Sequence, residues 1–132
     1  MSDGAAWAVI TPAGELAWYP LAREADVRAI VGGRFGALDT STLNPYESLA
    51  RKVLASDVGA VYPDEFPANP LARRVITALS ASYRTQAWHG AVALVEYETD
   101  GPEVLWPGEM STHWAERITA AVAEAAGDSA DG

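Results

Sequence analysis

Two adjacent residues near the middle of the chain, Asn69 and Pro70, constrain its fold more than any others. Proline has no N–H to lose and its fixed φ suits the first turn of a helix, while an asparagine just before it can cap the free N–H groups of that turn. The pair therefore predicts a helix start. Leu71, Ala72, Val75, Ile76, Leu79 and Tyr83 continue it as an apolar stripe, with Arg73, Thr77, Ser80 and Arg84 on the opposite, wet face. Upstream, Pro63 and Pro67 interrupt regular structure, so residues 62–69 are expected to act as a hinge that ends one hairpin and launches the helix.

The remaining elements follow from periodicity and turn residues. Residues 7–10 and 16–21 are apolar runs around Thr11-Pro12-Ala13-Gly14 and predict a β-hairpin, with Pro20 ending the second strand or placing it at an edge. From Arg23 onward Val27, Ile30 and Val31 recur at helical spacing, and Gly32-Gly33 supplies the stop. Residues 34–40 read as a strand and residues 40–45 as a loop. Residues 46–55 are ambiguous. Leu49, Val53 and Leu54 suit a helix, whereas the turn Ser56-Asp57-Val58-Gly59 between Lys52-Val53-Leu54-Ala55 and Ala60-Val61-Tyr62 favours a hairpin.

Residues 91–97 are apolar on both alternating faces, as expected of a central strand, and Val104, Leu105 and Trp106 are expected to pair back on it. A last helix starts at Ser111 or Thr112 and carries Trp114, Ile118, Ala121, Val122 and Ala125 on one stripe as far as Gly127, leaving residues 128–132 as a frayed tail. With 132 residues, 49% of them hydrophobic, the chain can bury one core but not two. The fold class is therefore α+β: a single domain over residues 1–127, with a largely antiparallel sheet and about three helices packed on it.

Cysteine is absent, which excludes disulfides and thiolate metal sites and suits the cytoplasm. No apolar run is long enough to span a bilayer, and the N-terminus lacks the basic and apolar regions of a signal peptide. The net charge of −9 is uneven: residues 1–85 hold nine acids and eight bases, and residues 86–132 hold nine acids and only Arg117. Direct DNA binding is not expected of such a surface, whereas a basic protein partner would be attracted to it.

Several residues are candidates for chemistry, each with a structural account beside it. Without cysteine or a Gly-x-Ser-x-Gly elbow, nucleophilic catalysis has no support, and neither His89 nor His113 has a second ligand at metal-site spacing, so no metal and no cofactor is implied. Glu96 and Glu98 point to one face of a strand, the geometry of a cation site or, with His89, an acid/base group. Solvation of a strand end explains them as well, and with Asp100, Glu103 and Glu109 they form an acidic rim that a basic partner would meet. The helix start at Asn69, with Arg73 and Arg74 within a turn and Trp88 as a stacking platform, suits a small anionic ligand such as a phosphorylated molecule or nucleotide. Asp64 and Glu65 are near enough in sequence to neutralise those arginines instead.

The helix ending in Val31-Gly32-Gly33-Arg34-Phe35, the step Asn69-Pro70-Leu71-Ala72 and the strand His89-Gly90-Ala91-Val92-Ala93-Leu94 together resemble an uncharacterised family of phages, plasmids and actinobacteria, catalogued as domain of unknown function 3846. The likeness runs over about residues 7–97. It departs from the family pattern before the asparagine, where the acidic-glycine turn appears as Ser56-Asp57-Val58-Gly59 followed by an added proline-rich segment. The resemblance implies an accessory protein of mobile elements, supplies no catalytic residues, and makes the positions around Asn69 and Ala72 part of a shared framework. The function expected from residues and resemblance together is a small non-enzymatic binding protein acting through a protein partner. The alternatives are a binder of a small anionic ligand at Asn69 and, third, an enzyme using Glu96, Glu98 and His89.

Overall fold

Alternating apolar residues on short strands must be covered on both faces, and the chain does this with a sheet between two helical layers. A computed structural model describes residues 7–19, 24–33, 36, 38–44, 48–80, 87–96 and 110–131. The strands are β1 (Trp7–Ile10), β2 (Leu16–Tyr19), β3 (Leu38–Asn44), β4 (Ser48–Ser56) and β5 (Val92–Glu96). The helices are α1 (Glu24–Gly32), α2 (Pro70–Leu79) and α3 (Thr112–Asp131). The strands form one sheet in the order β2-β1-β5-β4-β3, every neighbouring pair antiparallel. This is the expected α+β domain, and β5 is central as its two apolar faces require.

Register decides which residues go to which layer. Ile10 pairs with Val92 and Val53 with Leu94, and these side chains join Leu71, Val75 and Ile76 of α2 and Trp114 and Ile118 of α3 in one core. On the other face Trp7, Val9, Leu54, Ala93 and Val95 pack against Val27 and Val31 of α1. Ring stacking of Trp7 on Tyr19 at a centroid distance of 4.7 Å closes that face at the β2 side. Among the described residues no helix is long and apolar enough to cross a membrane.

Four expectations are corrected. Residues 40–45 are not all loop, because β3 continues to Asn44 and pairs along β4 from Leu38↔Ser56 to Asn44↔Ser48. The hairpin involving residues 52–55 is therefore made with β3, and the Ser56-Asp57-Val58-Gly59 turn leads into further turns instead of a strand over residues 60–62. Alternation alone could not choose between the two partners, since residues 38–44 are polar but β-branched enough to make an edge strand. Ser80 is buried, not wet, because the backbone leaves the helix there and its N–H returns to the Ile76 carbonyl. Finally, α3 passes through Gly127 to Asp131: an exposed mid-helix glycine costs about 1 kcal/mol, too little to stop a helix already docked along its length. The strand expected at residues 104–106 lies outside the described residues.

Candidate functional site

Asn69 is a structural lock. Its side-chain oxygen accepts the Ala72 N–H at 3.1 Å, the expected cap, while its amide nitrogen donates to the Ile10 carbonyl at 2.9 Å and the Gly90 carbonyl at 2.8 Å. Its backbone N–H donates to the Trp88 carbonyl and its own carbonyl accepts from Arg73 N. The residue is 1% exposed. One side chain thus ties the start of α2 to the end of β1 and the approach to β5. Both amide hydrogens and one lone pair of the side-chain oxygen are engaged within the fold and the residue is buried, so the role seen for Asn69 is a structural one. Of the first four helical positions, Pro70 has no N–H and those of Ala72 and Arg73 are taken by Asn69.

The other residues expected at this site separate. Trp88 is 5% exposed and belongs to the core beneath α2 and α3, so it offers no stacking platform: the backbone that bonds Asn69 turns the ring inward. Arg73 is exposed. Arg74, also exposed, lines an open cleft of about 310 Å³ with Pro12, Ala13 and Gly14 of the β1–β2 turn, Pro70 and Leu71 of α2, and Ala126 of α3. Arg74 is the one charged residue lining the cleft, whose wall at the start of α2 is of mixed polarity.

The acidic candidates also divide. Glu96 at the end of β5 lies opposite Arg51 of β4, and the two make an ion pair at 3.2 Å with side chains 16% and 15% exposed. The other carboxylate oxygen of Glu96 accepts the backbone N–H of Ser111, whose hydroxyl in turn caps α3 by accepting from Trp114 N. Burial pushes the Glu96 carboxyl up, but hydrogen bonds from Ser111 and the Arg51 guanidinium outweigh it and hold the group below its ordinary value. Arg51 also stacks over the Trp114 ring at 4.6 Å, with Arg117 at 5.2 Å. Glu96 is thus a strut between sheet and α3, and only a small part of its side chain reaches the surface. Glu98, Asp100, Glu103 and Glu109 lie outside the described residues.

His89 sits in an isolated bridge with Ala68, at the opposite end of β5 from Glu96. Six residues lie between them, and the length of β5 alone puts them on the order of 15–20 Å apart, so they do not form an acid/base pair. Among the described residues no group of three or more His, Asp or Glu is placed to hold a metal ion.

The feature that sequence reasoning missed is the loop at residues 57–65. It is built from consecutive turns: Val61 and Tyr62 N–H groups donate to the Val58 carbonyl, and those of Glu65 and Phe66 to the Tyr62 carbonyl. Phe66, 4% exposed, plugs the loop into a socket made by Gly33 and Gly90, while Gly59 lies in ordinary contact with it and closest to His89. A Cβ added to Gly90 would lie 2.7 Å from the Phe66 ring, one on Gly33 3.1 Å from it, and one on Gly59 3.6 Å from the Phe66 Cβ. On the outside of the braced loop stand Val61, 70% exposed, and Tyr62, 39% exposed, the two exposed large hydrophobic residues among those described. Asp57 and Asp64, in the same loop, are also exposed, whereas the Glu65 carboxylate reaches towards Gly33, where an added Cβ would lie 3.0 Å from its Oε2. The available signal was the pair of prolines flanking Phe66, which makes a strand through residue 62 hard to continue.

Comparison of the chain with family models, curated proteins and solved structures returns no match.

Proposed function

We propose that the chain is a small cytoplasmic binding protein, of the accessory kind that mobile elements carry, which acts through a protein partner met by the 57–65 loop. The observation that carries this reading is the exposure of Val61 and Tyr62 on a loop whose backbone is bonded through its turns and anchored by Phe66. Exposed apolar side chains stabilise no fold, and a braced loop pays its ordering cost before a partner arrives. The cytoplasmic setting draws on the cysteine-free sequence, and the accessory role on the family resemblance.

The test is a photo-crosslinking amino acid placed at Val61, and separately at exposed Glu116 on α3, in the cells that make the protein. A discrete protein adduct from position 61 and none from position 116 is the expected result. No adduct at 61, or the same adducts from both positions, removes the reading.

A second reading is favoured by the cleft at Arg74. Its volume of about 310 Å³ and its guanidinium suit a small anion with an apolar portion, such as a phosphorylated molecule or nucleotide. A thermal shift with one of a panel of nucleotides and sugar phosphates, abolished by Arg74→Gln, is expected on this reading, and a flat response from the unaltered protein rejects it.

A further inference from the structure

We propose that the loop at residues 57–65 is recognised by a short cationic segment of a protein partner, in which an apolar pocket takes Val61 and lysine or arginine side chains meet Asp57 and Asp64. This rests on the protein-partner reading and goes further by naming the partner's chemistry.

Charge points to that occupant. Between Lys52 and Arg73 the chain has no lysine or arginine, while Asp57 and Asp64 are exposed in the same loop as the exposed Val61 and Tyr62. A partner that buries Val61 must bring its own atoms within reach of these carboxylates. An acidic partner would meet only repulsion there, whereas a cationic one gains complementarity and a faster encounter. Size points to a short segment, because a loop of nine residues offers much less than the roughly 800 Å² per partner of a standard interface. Order points the same way. The Val58 and Tyr62 carbonyls each accept two backbone N–H groups, and Ser56 Oγ accepts the Val58 N–H at 3.2 Å, so the acids are presented from a preset backbone.

The experiment titrates isotope-labelled protein with two synthetic twelve-residue peptides, one alternating Arg and Leu and one alternating Glu and Leu, and follows backbone amide shifts. The expected result is that only the Arg peptide shifts amides, that the shifts gather at residues 57–66, and that affinity falls steeply with salt. Val61→Ser should weaken the Arg peptide about five- to tenfold, as loss of one buried apolar side chain implies. Asp64→Asn should flatten the salt dependence. Equal binding of the two peptides, shifts centred on α3 or the Arg74 cleft, or no effect of Val61→Ser overturns the proposal, the last because it leaves charge attraction alone. If Val61 still crosslinks a protein in cells while the Arg peptide fails, the cationic segment falls and the protein-partner reading survives. Absence of the crosslink removes both.

Discussion

Asn69→Ala tests the lock at the start of α2. It deletes two donated bonds, to the Ile10 and Gly90 carbonyls at 2.9 and 2.8 Å, and one accepted bond from Ala72 N at 3.1 Å. At about 1 kcal/mol net for each bond, with a further 1 kcal/mol or so for partners left buried and unsatisfied, the expected loss is roughly 3–5 kcal/mol. Loss of the cap alone accounts for only about 1 kcal/mol of this. The remainder comes from the cross-links to β1 and β5. The assay is equilibrium urea unfolding followed by tryptophan fluorescence, for which Trp7, Trp88 and Trp114 are buried reporters. Asn69→Asp separates the two contributions, since one carboxylate oxygen keeps the Ala72 bond while the other faces two carbonyl oxygens. Burial and that repulsion raise the folded pKa of the new carboxyl above its unfolded value of about 3.9. Its penalty is therefore full above the folded pKa and shrinks as pH falls through it. The aspartate variant should be the less stable of the two at neutral pH and close the gap in acid. A loss below about 1 kcal/mol for Asn69→Ala would mean that the two cross-links contribute nothing beyond a cap and would refute the lock.

Three further outcomes are expected. Glu96 has a lowered folded pKa, so its contribution is present above the ordinary carboxylate range and is lost as pH falls through the folded value. Glu96→Gln should thus be less stable than the parent at neutral pH and converge with it in acid, measured as urea midpoints across that range. Gly90 has φ +73° and a Cβ there would meet the Phe66 ring at 2.7 Å, whereas Gly14 has φ +88° with open space around it. Gly90→Ala should cost both backbone strain, about 1–3 kcal/mol, and a displaced ring, and Gly14→Ala only the strain, so equal thermal shifts would contradict the glycine socket. Val61→Ser should change stability by no more than about 0.5 kcal/mol, and a larger loss by calorimetry would show that Val61 packs within the fold.

The elements legible in the sequence were those in which local chemistry and tertiary demand agree. Asn69 and Pro70 mark the start of α2 by capping geometry alone, and the apolar residues of β5 announce a central strand because both faces must be covered. Where the deciding partner is distant, the local signal misleads. The turn at Ser56-Asp57-Val58-Gly59 looks like a hairpin turn, but β4 pairs with β3 before it and with β5 far beyond it. Likewise Trp88, two residues before Gly90 at the mouth of a strand, has nothing in its neighbourhood to say that its ring joins the core with α2 and α3. Glu96 was legible as a charged strand end, but its partners, Arg51 and Ser111, come from a strand 45 residues earlier and a helix start 15 residues later. At the candidate site the asparagine was legible as a cap, but spacing cannot report the two distant carbonyls, of Ile10 and Gly90, that also hold its side chain.

The same construction that locks Asn69 into the fold also braces the neighbouring loop. Residues 66–69 form a strut with every position engaged: Phe66 in the glycine socket, the Pro67 carbonyl accepting Gly90 N, Ala68 bridging His89, and Asn69 bonded to three segments. The loop leaves β4, a strand paired on both sides, and returns into this strut, so both its ends are held by the best-connected backbone of the domain. A loop held in this way presents Val61 and Tyr62 at little entropic cost on binding. Loosening the strut should consequently weaken partner contact at Val61 without altering any residue that touches the partner. Gly90→Ala is the variant in which that coupling is expected: it acts on the Phe66 ring from behind and leaves the exposed face of the loop chemically unchanged. If Gly90→Ala lowers stability but leaves the Val61 crosslink at full strength, the bracing serves the fold alone, and preorganisation has no part in recognition.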